Sequence, residues 1–153
     1  MREKLRRKES SNRISKKPYQ ESQGCSSDQH PWISFRYMTT NKGHSLAFLD
    51  ALDSRDREVT MRRLLERLEE ISSRPWLDWT GLRRQVGFET LPKDEITFQA
   101  AQDAPLTSDM KLYIFRFDTY LGSGKGRIIG FKNHPCAAYH IIGYDFDFTA
   151  YAH

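Results

Sequence analysis

KLYIFRF at residues 111–117 and GRIIGF at residues 126–131 give the clearest indication of the fold, together with the glycine-rich stretch that separates them. Tyr113, Phe115 and Phe117 recur at every second position, which is typical of a β-strand. The second segment contains β-branched residues, and the intervening glycines can adopt the positive φ angles that a tight turn requires. The two segments therefore predict an antiparallel β-hairpin with its turn at residues 121–126.

The same glycine-rich stretch, LGSGKGRIIGF at residues 121–131, has a superficial likeness to a phosphate-binding P-loop. A P-loop needs a glycine five residues before its Gly-Lys pair and a Ser or Thr after it, because backbone N–H groups hold the phosphates and the hydroxyl holds magnesium. Here Thr119 stands five residues before Gly124, and Gly126 follows Lys125. Both positions fail, so the sequence predicts no nucleotide cofactor.

The residues before the hairpin divide into one strand and a group of helices. HPWISFRYMT at residues 30–39 alternates in the manner of a strand. Leucines in residues 46–52 recur at helical spacing, and Asp53 or Ser54 is suited to cap a second helix. That helix carries an apolar stripe that is predicted to face a sheet: Met61, Leu64, Leu65, Leu68 and Ile71.

The remaining segments complete an α+β order. Pro75 suits the first turn of a short third helix, whose Trp76 and Trp79 are expected at the edge of the core. A strand at residues 87–91 and a long connection at residues 92–109 lead to the hairpin, and a last strand is predicted over residues 137–153. The predicted fold is an N-terminal strand, two or three helices, and a three- to four-stranded antiparallel sheet with the helices on one face.

The positive charge of the chain is concentrated at its start. The 153 residues carry a net charge of +4; residues 1–31 hold eight Lys or Arg against four acids, and residues 32–153 are balanced. The first segment has little that could fill a core, so we predict a disordered basic segment at residues 1–30 and a single α+β domain at residues 31–153. A solubilising tail, an electrostatic arm for nucleic acid and a short docking helix are alternative roles for that segment.

Hydrophobic runs in the chain are short. None is long enough for the core of a signal peptide or for a membrane span. The sequence therefore predicts a cytoplasmic protein without a membrane partner.

The two cysteines do not indicate a disulfide framework, because Cys25 lies in the polar first segment and Cys136 lies beside a proline. His134, Cys136 and His140 could begin a zinc site, but a fourth ligand at suitable spacing is missing. We therefore predict no metal, and we interpret His140 as a half-buried histidine of a strand.

Four segments resemble parts of the RelE/ParE toxin superfamily: GLRRQVGFETL at residues 81–91, KLYIFRF at residues 111–117, GRIIGF at residues 126–131 and HIIGYDFDFTAYAH at residues 140–153. These small bacterial toxins of type II toxin–antitoxin pairs have a strand, a helical hairpin and a curved antiparallel sheet. The resemblance covers residues 32–153 by order of elements and is most specific in the C-terminal strands. It implies an antitoxin partner. For the branch that cuts mRNA on the ribosome, it implies an endoribonuclease that needs no metal or other cofactor.

Carried over residue by residue, the resemblance implies a catalytic set. Arg116 and Arg127 match the arginines of two family strands that stabilise charge on the reacting phosphate. Tyr151 and His153 occupy the positions of the family's C-terminal aromatic residue and histidine, and Glu89 stands where some members keep a carboxylate base. Lysines near these strands are the implied RNA contacts: Lys111, Lys125 and Lys132.

A second interpretation keeps the fold and removes the catalysis, as in the ParE branch, which poisons gyrase. Asp145 and Asp147 add negative charge to the strand that would face a phosphate, and together with Asp118 they are candidate ion-pair partners for the arginines. The nuclease interpretation requires Arg116, Arg127 and a Tyr or His to converge in one open site. Arginines neutralised by these aspartates favour an interaction domain.

Overall fold

The computed structural model describes residues 29–133 and 137–152. Its helices and strands are β1 (Trp32–Ser34), α1 (Ser54–Ser73), α2 (Trp76–Leu82), β2 (Phe88–Pro92), β3 (Lys111–Thr119), β4 (Gly122–Lys132) and β5 (Ala138–Asp145). Short 3-10 helices lie at Lys42–His44, Leu46–Ala51, Arg83–Val86 and Lys93–Glu95. The predicted α+β class is confirmed.

Several sequence predictions fall on residues that the structure does not describe. They concern the basic segment apart from Gln29 and His30, and four side chains: Cys25, His134, Cys136 and His153. In the part of the chain that is described, no helix has both the length and the apolar character needed to cross a bilayer.

Helix α1 forms where the cap and the apolar stripe predict it. The Asp53 carboxylate accepts a hydrogen bond from the Asp56 backbone N–H at 2.8 Å, which satisfies one of the first-turn donors that lack a partner within the helix. Leu64 and Ile71 are buried in the core, but Leu65 is 54 % exposed, so its assignment to the core is wrong. Leu65 follows Leu64 by one position, a rotation of about 100° that turns it out of the stripe.

Two predicted elements differ in extent. Residues 46–51 form a 3-10 helix, whose first turn is capped by the Ser45 hydroxyl accepting from the Ala47 N–H at 3.3 Å. Strand β1 covers only three of the ten predicted residues. It ends because a turn follows, in which the Met38 N–H donates to the Phe35 carbonyl at 3.4 Å.

The five strands form one sheet in the order β1-β5-β4-β3-β2. The pairs β2–β3, β3–β4 and β4–β5 are antiparallel, as predicted. β1 lies at the edge and pairs parallel with β5, which the sequence prediction did not include. The two strands are separated by most of the chain, so no hairpin connection constrains their relative direction.

The β3–β4 hairpin is present, but its turn is earlier than predicted. The turn lies at residues 120–121, between Thr119 and Gly122, which pair across it. The glycines assigned to a turn at residues 121–126 belong to β4, so that assignment is wrong. Gly122 and Gly124 have φ angles of 126° and 64°, which side chains with a β-carbon rarely adopt.

Both faces of the sheet are covered. On one face, α1 and α2 pack against a core that includes Trp76 and Trp79, which are 2 % and 0 % exposed and thus lie inside the core rather than at its edge. We call the opposite face the loop face, because residues 93–110 and 147–152 cover it. Its buried apolar side chains are Tyr37, Phe98, Leu112, Ile114, Ile129, Phe131, Ile142, Ala150 and Tyr151. The long connection is therefore part of the packing.

The chain leaves the sheet after Asp145. Residues 147–152 turn back over the loop face, where the Thr97 N–H donates to the Ala150 carbonyl at 2.8 Å. The prediction that the last strand includes Tyr151 is therefore wrong. Phe148, within this C-terminal turn, has a φ angle of 68°, which is unusual for an aromatic residue.

Candidate functional site

A row of four charged side chains crosses the loop face. Glu89 lies on β2, Arg116 on β3, Arg127 on β4 and Asp145 on β5. In the strand register, Arg116 pairs with Arg127, and Arg127 pairs with Asp145. Directly paired residues on adjacent strands point to the same side of a sheet. Two carboxylates and two guanidiniums therefore meet in one row, which we call the charged row.

Glu89 and Arg116 form the exposed end of the charged row. Nε and Nη2 of Arg116 donate to the two carboxylate oxygens of Glu89, at 3.2 and 3.0 Å. The two side chains are 44 % exposed for Arg116 and 27 % exposed for Glu89. Burial raises the pKa of the Glu89 carboxyl, but hydrogen bonds from Arg116 and Tyr151 and the nearby positive charge outweigh it, so this pKa lies below its ordinary value.

The Tyr151 hydroxyl is the third member of the exposed end. It donates to Oε1 of Glu89 at 2.5 Å. Burial and the hydrogen bond to Glu89 raise the pKa of Tyr151, so the hydroxyl keeps its proton throughout the neutral range. A protonated hydroxyl thus stands directly beside an ionised carboxylate.

Arg127 and Asp145 form the buried end of the charged row. Nη1 of Arg127 donates to Oδ2 of Asp145 at 2.6 Å, and both side chains are 0 % exposed. The Asp145 carboxylate also accepts the backbone N–H groups of Thr149 and Ala150, at 2.8 and 3.1 Å. A buried charge pair needs such additional hydrogen bonds, because its attraction alone does not offset the loss of water.

Two aromatic rings pack on the Arg127 guanidinium. The guanidinium carbon lies 3.7 Å from the ring centroid of Phe148 and 4.2 Å from that of Tyr151. These are cation–π contacts, which strengthen when they are removed from water. The turn stabilised by Asp145 holds Phe148 in its unfavourable backbone conformation, and in that conformation its ring covers Arg127.

Tyr151 connects the two ends of the row. Its ring contacts Arg127, and its hydroxyl contacts Glu89. Asp145 and Arg127 stabilise the C-terminal turn, and that turn determines where the Tyr151 hydroxyl lies. The buried end therefore positions a group of the exposed end.

The structure brings together four of the five residues that the resemblance implied as catalytic: Glu89, Arg116, Arg127 and Tyr151. His153 lies outside the described residues. Arg127 is not open to a ligand, because it has no exposed surface and Asp145 neutralises it. Pairing with an aspartate is the alternative that the sequence left open for this arginine.

The three implied RNA-binding lysines do not form one surface. The Lys125 ammonium lies 4.8 Å from the Phe148 ring centroid, close to the charged row. The Lys132 ammonium lies 4.9 Å from a ring of Trp76, a residue of the helix side. Lys111 is exposed at the start of β3, five residues from Arg116, which corresponds to about 17 Å along a strand.

The role of Phe148 and the turn-forming role of Asp145 were not predicted. The available signal is the series Asp145, Asp147 and Thr149, because the short polar side chains of Asp and Thr form hydrogen bonds with nearby backbone groups in turns. A turn directly after β5 follows from that pattern. The contact between Phe148 and Arg127 has no local signal.

Two cavities adjoin Arg116. One, of ≈ 210 Å³, is lined by Gly87, Phe88, Glu89 and Arg116. The other, of ≈ 250 Å³, is lined by residues of α1 and β3. Within residues 29–133 and 137–152, no group of three or more His, Cys, Asp or Glu side chains is arranged to hold a metal ion. The chemistry available at the exposed end is that of a carboxylate, a guanidinium and a phenol.

Comparison with known proteins found no relative of this chain. No protein-family model, no curated protein and no solved structure matches the chain.

Proposed function

We propose that this protein is a RelE-like toxin, a metal-independent endoribonuclease that acts on mRNA during translation in the cytoplasm. The observation that carries the proposal is the hydrogen-bonded group of Glu89, Arg116 and Tyr151. The resemblance implied these three side chains for RNA cleavage, and they come from β2, β3 and the C-terminal turn. The order of a strand, helices and antiparallel strands is also the order that the resemblance implied.

The proposed reaction needs a base, an acid and a cation. The 2′-hydroxyl attacks the adjacent phosphorus, the bond from phosphorus to the 5′-oxygen breaks, and a cyclic phosphate forms. Glu89 takes the proton of the 2′-hydroxyl, and Tyr151 gives its proton to the departing 5′-oxygen. Arg116 stabilises the charge on the non-bridging oxygens. The hydrogen bond between Tyr151 and Glu89 then returns the proton from the carboxyl to the phenol.

Arg116 cannot use the same donors for a phosphate and for Glu89 at once. Substrate binding in this mechanism therefore moves the guanidinium from the carboxylate to the phosphate, which its 44 % exposure permits. The hydrogen bond from Arg116 is one of the contacts that lower the pKa of Glu89. Its loss makes Glu89 a stronger base at the moment when a base is needed.

Arg127 has an indirect part in this proposal. The buried arginine cannot reach a phosphate without a rearrangement, because Asp145, Phe148 and Tyr151 surround it. Its contact with the Tyr151 ring and its ion pair with Asp145 hold the acid in place. We therefore assign Arg127 and Asp145 as positioning residues.

The test is cleavage of ribosome-bound mRNA by purified protein, with growth arrest on expression as a second readout. Arg116→Ala should reduce the cleavage rate by about 100-fold to 1000-fold, as expected for the loss of an electrostatic stabiliser. Glu89→Gln and Tyr151→Phe should each reduce the rate by about 100-fold or more. All three variants should keep the circular dichroism spectrum of the folded protein.

Matched control variants carry the same chemical changes outside the charged row: Arg55→Ala, Glu95→Gln and Tyr120→Phe. They should cleave at the wild-type rate. If the wild-type protein leaves ribosome-bound mRNA intact and its expression does not slow growth, the nuclease proposal fails.

A specific observation favours a second candidate, a non-catalytic interaction domain of the ParE-like kind. Both arginines of the row are neutralised: Arg127 by Asp145 without any exposed surface, and Arg116 by Glu89. Co-purification from the native host, followed by identification of bound proteins, separates the two candidates. Toxicity without RNA cleavage, unchanged by Arg116→Ala and Tyr151→Phe, supports the interaction domain. Recovery of the protein with ribosomes, or with an antitoxin that blocks cleavage, supports the nuclease.

A further inference from the structure

Two cavities flank residues 98–102 on the loop face. Their volumes are ≈ 790 and ≈ 450 Å³, within the usual range for ligand sites of about 300–1,000 Å³. We call the larger one the amide groove. It is lined by residues 39–41 and 97–102.

Hydrogen bonds hold the two walls of the amide groove together and to the sheet. The Thr39 hydroxyl donates to the Gln99 carbonyl at 2.5 Å, and the Thr39 N–H donates to the Ile142 carbonyl of β5 at 2.7 Å. The Ala101 N–H donates to the Tyr37 carbonyl at 3.3 Å. Residues without regular secondary structure thus form a supported surface.

Phe98 anchors the wall of the groove in the core. Its ring is buried and stacks on His44 with 4.4 Å between the ring centroids. The ring also lies directly over Gly143, where an added β-carbon would be 2.6 Å from it. Glycine at this position permits the close approach, so the anchor depends on the sheet beneath it.

The lining of the amide groove carries no charged side chain, and six of its nine residues are polar. The carboxamides of Gln99 and Gln102 are exposed and make no hydrogen bond to any residue that the structure describes. Asn41 supplies a third carboxamide, whose oxygen accepts from the Gly43 N–H at 2.9 Å. A carboxamide presents a donor and an acceptor side by side, which is the pattern that matches the edge of a nucleobase.

The C-terminal turn links the amide groove, which lies over β5, to the exposed end of the charged row on the same face of the sheet. Thr97 at the edge of the groove donates through its N–H to the Ala150 carbonyl at 2.8 Å and through its hydroxyl to the Thr149 carbonyl at 3.4 Å. The next residue in the chain is Tyr151, whose hydroxyl contacts Glu89. Residues 149–151 therefore connect the edge of the groove with the side chain that contacts Glu89.

We propose that the amide groove binds an unpaired base of a single-stranded RNA. The inference rests on the proposed function for the identity of the polymer. Charged side chains supply the phosphate contacts of such a complex, while uncharged amides read the edges of splayed bases. The groove is then a specificity site, separate from the groups that carry the reaction.

The experiment measures binding without requiring cleavage. Fluorescence anisotropy with the full chain and labelled single-stranded homopolymers of A, C, G and U gives four affinities. We expect one homopolymer to bind more tightly than the others. The double variant Gln99→Ala, Gln102→Ala should reduce that preference by about 5-fold or more and leave the weakest affinity unchanged. Gln85→Ala, an exposed amide outside the groove, is the matched control and should change nothing.

The outcomes separate this inference from the nuclease proposal. A base preference that the double variant removes supports the groove even if the protein cleaves no RNA. Cleavage with equal affinities for all four homopolymers, or with a preference that the double variant retains, overturns the inference and leaves the nuclease proposal standing. Failure to bind any homopolymer also overturns it and makes a protein segment the alternative occupant.

Discussion

Replacing Asp145 by alanine should strongly destabilise the fold. The change leaves Arg127 buried without its counter-ion and removes the acceptor of two backbone N–H groups. Removing one partner of a buried pair costs about 3–5 kcal/mol, and each lost hydrogen bond costs about 1 kcal/mol. When the C-terminal turn opens in the variant, water can hydrate the groups that lost their partners, and this reduces the cost. We therefore expect a net loss of about 4 kcal/mol in the free energy of unfolding. For a domain of this size, that lowers Tm by about 15 °C.

Thermal and urea denaturation, followed by circular dichroism, measure the effect. Asp147→Ala is the matched control, because that carboxylate accepts from the Thr149 hydroxyl at 2.6 Å but does not pair with Arg127. It should cost less than about 1 kcal/mol. Adding Arg127→Met to Asp145→Ala removes the unpaired buried charge and should restore part of the lost stability. If Asp145→Ala destabilises no more than Asp147→Ala, the assigned role of the buried pair is wrong.

The remaining predictions concern stability at two other positions of the sheet. Burial and the charge of Arg36 lower the pKa of His140, so the folded state favours the neutral ring. The free energy of unfolding should therefore be highest above the ordinary histidine pKa of about 6.5 and should decrease as the pH falls below it. Urea titrations at pH 8 and pH 5 measure this decrease, which should be smaller in His140→Gln. Gly143→Ala should cost about 1–3 kcal/mol in the same titrations because of the contact with Phe98, whereas Gly81→Ala, with no atom within 4 Å, should not destabilise.

The elements that the sequence predicts correctly are mainly those with a periodic pattern of apolar residues. The alternation in β3 and the stripe in α1 predict elements that are present, because burial of one face dictates where apolar residues recur. The turn of the β3–β4 hairpin is misplaced, since glycine also occurs where strands pack closely. At Gly126, an added β-carbon would lie 2.6 Å from the ring of Phe117. Composition alone cannot separate these two uses of glycine.

The parallel placement of β1 depends on contacts between distant parts of the chain. Ile33 packs against the helix-side core and pairs with Tyr139 of β5, more than one hundred residues later. A three-residue strand carries too few alternating positions to indicate its partner or its direction. For the same reason, the packing of Phe98 over Gly143 has no signal within residues 92–109.

The charged row shows which part of a site a periodic pattern can predict. Arg116 and Arg127 share a face because β3 and β4 form a hairpin, and the sequence is sufficient for that inference. Their environments differ because the chain reverses after Asp145 and brings Phe148 over only one of them. An arginine at the middle of a strand therefore cannot be assigned to a ligand from its face alone. In this protein the tertiary contact of the C-terminal turn buries Arg127, whereas the side chain of Arg116 is 44 % exposed.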